Sequence, residues 1–130
     1  MSPGLHTKPK VVEAASAVLV DMKAATSSLT YAALLTDDGF DVARYPVKAD
    51  GSRFAGMASS MQALSEAVAH ELKIGDSEYI IIASGKGHVV QLRVPGQELV
   101  LSALFDNDAT VGHALAITRS FAQKMADLLI

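Results

Sequence analysis

The sequence predicts one α/β (α+β) domain, a three-layer α/β/α arrangement built on a five-stranded antiparallel sheet, with the order α-β-β-α-β-β-β-α. Three observations carry this. Three stretches of the 130 residues repeat apolar side chains at helical spacing. The strand-like stretches between them are joined by tight-turn residues: Asp37-Asp38-Gly39, Gly85-Lys86-Gly87 and Pro95-Gly96. Neighbours joined by such short turns pair antiparallel. Finally, Glu98–Phe105 is apolar on both faces, with Leu99, Leu101, Ala103 and Phe105 on one and Val100 and Leu104 on the other. A strand of that kind lies in the middle of a sheet covered by helices on both sides.

The elements follow in order. Met1–Lys10 has no apolar run and reads as a disordered tail rather than a signal peptide, with the domain over 11–130. Val11, Ala15, Val18, Met22, Ala25 and Leu29 mark the first helix, which Pro9 introduces and Thr26-Ser27-Ser28 close, because short hydroxyl side chains compete for backbone hydrogen bonds. Tyr31–Thr36 is a strand, Gly39 turns the chain, and Phe40–Val47 returns. Pro46 lacks a backbone donor and places that return strand at a sheet edge. Asp50 or Ser52 is suited to cap a second helix over Arg53–Lys73, with Gly75 as its stop. Glu78–Ser84, His88–Val94 and Glu98–Phe105 are the remaining strands. The last helix spans Ala109–Leu129 with an apolar arc of Val111, Leu115, Ile117, Phe121, Met125, Leu128 and Leu129, capped by Asn107 or Asp108.

Composition narrows the function. Half of the residues are hydrophobic, 19% are charged and the net charge is −3. There is no cysteine, which removes disulfides, thiolate metal sites and cysteine nucleophiles. Aromatics are 5%, Trp is absent, and the eleven Lys and Arg form no basic stripe, so no nucleic-acid partner is expected. No stretch is apolar enough to span a membrane, so neither direct membrane insertion nor an address other than the cytoplasm is expected.

Catalytic templates fail on named residues. Ser84-Gly85-Lys86-Gly87 lacks the upstream glycine of a phosphate loop, which Ile80 replaces, and a strand follows it instead of a helix. His70-Glu71 opens like a zinc-protease helix, but Ile74 stands where the second His belongs. His6, His70, His88 and His113 have no metal-ligand spacing, and no nucleophile elbow is present. Asp37, Asp38 and Asp41 read as turn chemistry, and Asp106-Asn107-Asp108 as a helix cap. No catalytic residue, metal or cofactor is expected.

The second helix is the informative element. Phe54–Ser65 contains no charge, whereas a helix on a monomer's surface shows a charged outer face. Phe54, Met57, Met61, Leu64 and Val68 form a large apolar seam; Gly56, Ser60, Ala63 and Ala67 form a small one about 100° away. One seam is expected on the sheet and the other on a partner, most simply a second copy across a two-fold axis. The strand after it, with Ile80 and Ile82, is expected to extend that interface edge to edge.

Several stretches together resemble the roadblock/dynein light-chain family, in particular its bacterial branch related to the gliding-motility GTPase regulator. They are Ala33-Leu34-Leu35-Thr36-Asp37-Asp38-Gly39-Phe40, the small-residue-rich Ala55–Leu72, Gly85-Lys86-Gly87-His88-Val89-Val90 with Glu98-Leu99-Val100-Leu101, and Asp106-Asn107-Asp108-Ala109-Thr110-Val111-Gly112. The likeness runs over Val11–Ile130; Arg44-Tyr45-Pro46 and the residues after it depart from the family pattern. The resemblance implies a profilin-like layer order, with the first and last helices on one face and the middle helix on the other. It implies a homodimer through the middle helix and adjacent strand, and binding of a small Ras-like GTPase as activator or scaffold. It also implies an activator that reorganises the GTPase's own groups. Arg53 is the best placed of four arginines to touch the partner, the others being Arg44, Arg93 and Arg119. Two other readings stand beside it: a small-ligand sensor using Gln91 or His88 as the polar group of an apolar pocket, and a structural subunit of a larger complex.

Overall fold

The computed structural model describes residues 8–47 and 51–129, so the expected tail over 1–7, with His6, lies outside the described residues. Helix α1 (Pro9–Ala25) begins with Pro9 in its first turn, where a missing N–H costs nothing. Lys23 Nζ donates to the carbonyls of Ser27 and Leu29, both at 2.9 Å, just past its C-terminus. The helix therefore stops before Leu29. That residue continues the helical spacing but opens strand β1 (Leu29–Thr36), where it is buried.

Strand β2 (Asp41–Tyr45) is shorter than the expected Phe40–Val47. Phe40 belongs to the turn: its N–H donates to Thr36 Oγ1 and its carbonyl accepts from Thr36 N, while Gly39 supplies the positive φ of +89°. β2 ends before Pro46 and lies at a sheet edge, as expected.

Helix α2 (Ser52–Glu71) is preceded by Gly51 at its N-cap, with no side-chain cap; Asp50 lies outside the described residues. Its C-terminus corrects the expected glycine stop. Lys73 N–H donates to His70 O and Ile74 N–H to Ala69 O, both at 3.1 Å, which places Lys73 itself in the left-handed region at φ +57°. Gly75 follows two residues later.

Strands β3 (Ile80–Ser84), β4 (Gly87–Arg93) and β5 (Leu99–Asp106) complete one antiparallel sheet in the order β2-β1-β5-β4-β3. Gly87 is required where β4 begins, because a Cβ there would stand 2.7 Å from the carbonyl oxygen of Phe105 on the neighbouring strand. Helix α3 (Val111–Leu128) is capped by Thr110, whose Oγ1 accepts from His113 N–H at 3.0 Å. Asp106, expected with Asn107 and Asp108 at the cap, instead folds its own turn by accepting from Asp108 N–H.

β5 is central and covered on both faces. Leu99, Leu101, Ala103 and Phe105 face α1 and α3 together with Leu34, Val90 and Leu92. Tyr31, Ala33, Leu35 and Leu104 face α2. The expected three-layer α/β/α order is thus present, with α1 and α3 on one side and α2 on the other.

Candidate functional site

The sheet beneath α2 supplies most of the volume: Tyr31, Leu35 and Leu104, with the Tyr31 and Phe54 rings 4.6 Å apart. The helix answers with small residues. Its buried positions are Ala55, Ala58, Gln62 and Ala69. This corrects the expected packing, because neither seam singled out in the sequence is the one buried against the sheet. A third row, lying between them on the far side of the helix, does so. Short side chains bring the helix backbone close, and Gln91 Nε2 on β4 reaches the Ala58 carbonyl at 2.8 Å.

Beyond Phe54, which packs on Tyr31, both seams consequently face away from the sheet. Met57 is 53% exposed, Leu64 66% and Val68 47%; Met61 is half-buried, and Gly56, Ser60, Ala63, Ala67 and Arg53 are exposed or partly so. Of eleven exposed large apolar side chains among the described residues, seven lie on α2, β3 or the segment between them. Five of them, with Met61, frame a groove of about 640 Å³ between Met61, Leu64 and Val68 on one side and Ile74, Tyr79 and Ile82 on the other. Ile80 lines it too and is half-buried. Ile74 and Tyr79 are absent from the sequence-based set. The signal for them was present: large apolar residues in a Gly-Asp-Ser-Glu connection with no core to fill.

The two sheet edges differ. β2 carries the Asp41–Arg44 ion pair at 2.8 Å, an irregular register against β1 and a following Pro46, features that discourage further pairing. β3 reads Ile-Ile-Ile-Ala-Ser, with no charge, proline or register shift. Its outer edge is continuous with the groove.

A polar relay fixes α2 over the sheet. Gln91 Nε2 also donates to Gln62 Oε1, and Gln62 Nε2 to Glu66 Oε1, both at 3.2 Å. Arg93 donates to Glu66 Oε1 and Asp37 Oδ1, both at 2.7 Å. The Arg93 hydrogen bond, and then that of Gln62, hold the Glu66 carboxyl below its ordinary value. Burial acts to lower the Arg93 pKa, but its hydrogen bonds and charge pairing with Glu66 and Asp37 outweigh that and raise it.

This relay accounts for several candidates at once. Gln91 is fully buried beneath α2 and engaged by it, so it does not line an apolar pocket. Asp37 and Asp41 are each paired with an arginine, and no group of three or more metal-ligating side chains occurs among the described residues. His70 and His113 are exposed and His88 is half-buried. Arg44 and Arg93 are held in ion pairs, and Arg119 lies 5.3 Å from the Tyr79 ring centroid. Arg53 stands at the exposed N-terminal end of α2, beside Gly56 and Met57. No helix among the described residues is long and apolar enough to cross a membrane.

No family model and no curated protein matches the sequence. Solved structures do match. An MglB in a tetrameric arrangement aligns over 98% of this chain and 96% of its own length, with TM-score 0.82 and 21% identity. The gliding protein MglB from Thermus thermophilus aligns over 98% and 97%, with TM-score 0.82 and 20% identity. A roadblock/LC7 domain from Streptomyces avermitilis aligns over 88% and 96%, with TM-score 0.78 and 16% identity. The chain has the roadblock/LC7 fold along nearly its whole length.

Proposed function

We propose that this chain is a cytoplasmic, dimeric regulator or scaffold for a small Ras-like GTPase, contributing no catalytic group of its own. The observation that carries the self-association is the outer face of α2, uncharged from Phe54 to Ser65 and continuous with the unguarded edge of β3. Near a two-fold axis each side chain meets its own copy, so a charge there would face a like charge. Phe54–Ser65 has none. Gly56, Ser60, Ala63 and Ala67 allow a second helix to approach closely, while Met57, Met61, Leu64 and Val68, with Ile80 and Ile82, supply the apolar area.

The GTPase partner is inferred from the roadblock/LC7 fold shared with MglB and from the family motifs of the sequence. In this reading the paired α2 helices present a composite surface to the GTPase, and Arg53 lies at its rim. Arg44 and Arg93 are tied to carboxylates, which suits a regulator that positions the GTPase's own groups instead of inserting a guanidinium into the reaction.

The test is recovery of partners from the source cell's extract with immobilised chain, in the presence of a non-hydrolysable GTP analogue or GDP. A small GTPase identified by mass spectrometry, its recovery dependent on the nucleotide, is the expected result. Recovery of large assemblies indifferent to nucleotide would replace the proposal with a structural-subunit role.

A further inference from the structure

We propose that Met57 and Met61 form a peroxide-sensitive modification site that controls whether two subunits stay together. This rests on the reading of the α2–β3 face as the subunit interface. The chain has five methionines and no cysteine, so thiol chemistry is absent and thioethers are the side chains on which a peroxide acts. Their placement is uneven. Met22 and Met125 are 0% exposed in the core beneath α1 and α3. Met1 lies outside the described residues. Met57 is 53% exposed, and Met61, one helical turn on, is half-buried. Met61 lines both the α2–β3 groove and the shallow depression beside Arg53, Gly56 and Ser60, so it lies where the two apolar surfaces meet.

The chemistry is balanced by the peroxide alone. A sulfur lone pair attacks one peroxide oxygen, the O–O bond breaks, an S–O bond forms and water leaves. The sulfur is oxidised by two electrons and the peroxide reduced. The product replaces a flexible apolar side chain with a strongly polar, chiral one. In the separated subunit the new oxygen is solvated and costs little. Packed against a second copy it loses water among the apolar side chains of both seams, Phe54, Leu64 and Val68 with Gly56, Ala63 and Ala67, and the donors beside it, Ser60 and Arg53, replace only part of that water. Oxidation therefore favours the separated state, and by the same linkage the associated state protects both methionines from oxidation.

The experiment treats the whole chain with hydrogen peroxide, maps sulfoxides by peptide mass spectrometry and measures self-association by sedimentation across a concentration series. The expected result is oxidation at Met57 and Met61 before Met22 and Met125, with the dimer weakened about tenfold or more, equivalent to about 1.4 kcal/mol. Treatment with the two methionine sulfoxide reductases, one for each epimer, restores association. A variant carrying Met57→Leu and Met61→Leu is compared with itself before and after peroxide, and its affinity does not move. Affinity unchanged within roughly twofold with both sulfoxides in place overturns the site. So does a double variant that weakens equally, or oxidation that falls first on Met22 or Met125. An untreated chain that never self-associates overturns the interface reading itself, which separates the two failures.

Discussion

The orientation of α2 is tested most sharply by two substitutions with opposite expectations. Ala58 is 1% exposed and faces the sheet, with Gln91 Nε2 bonded to its carbonyl. Leu64 is 66% exposed on the opposite flank. Ala58→Leu forces extra carbon atoms into a filled contact and pries the helix from the relay, at a cost of about 1–3 kcal/mol. Leu64→Ala removes a side chain of which only about a third is covered in the single subunit. Full burial of leucine is worth about 1.5–3 kcal/mol, so the loss is under about 1 kcal/mol. Urea unfolding at a protein concentration low enough to separate the subunits reads both values. At higher concentration the Leu64→Ala loss grows, because the associated state is then part of the folded reference. A costly Leu64→Ala with a neutral Ala58→Leu, both in separated subunits, would mean that α2 is rotated the other way on the sheet and would refute the packing described here.

Three further expectations follow from local geometry. Lys73→Gly relieves a left-handed lysine at the α2 C-terminus and stabilises the fold by about 1 kcal/mol or less, since glycine's greater unfolded-state freedom offsets part of the gain; thermal melting reads the sign. Thr110→Ala removes the α3 cap and costs about 1 kcal/mol in the same measurement. Glu66 has a lowered pKa in the folded chain, so its contribution is full above the ordinary carboxylate range and disappears as pH falls through the folded value. The exposed setting keeps it under about 1 kcal/mol. Glu66→Gln should therefore narrow the stability gap between neutral and acidic urea titrations, and parallel losses in both proteins would contradict the assignment.

The order of elements and the antiparallel sheet were legible because they depend on local signals. Gly39 and Pro46 punctuate the first hairpin, and the two-sided apolar run around Leu101 marks the central strand. Helix ends were less legible. The spacing that ran through Leu29 continued across a chain reversal, and Thr110 capped α3 in place of the more conspicuous Asn107 and Asp108. The face of α2 was misjudged for a physical reason. Hydrophobic spacing favours large side chains as the core row, whereas here the sheet contributes the bulk and Ala55, Ala58 and Ala69 fit over it. Nothing local shows that Gln62 and Gln91 bond each other across two elements, so the sequence offered Gln91 only as a candidate pocket group and did not single out Gln62. What the sequence did reveal about the site was the missing charge in Phe54–Ser65, a feature with no structural role on an exposed helix unless something covers it.

The most direct test of that cover is the sedimentation behaviour of the native chain beside a Leu64→Asp variant. Leu64 lies outside the subunit's own core, so an aspartate there leaves the single subunit folded, as circular dichroism would verify, while placing like charges together across a two-fold axis. The account predicts a native dimer and a folded, monomeric variant. A native chain that stays monomeric at high concentration, or a variant that dimerises as well as the native chain, would contradict it.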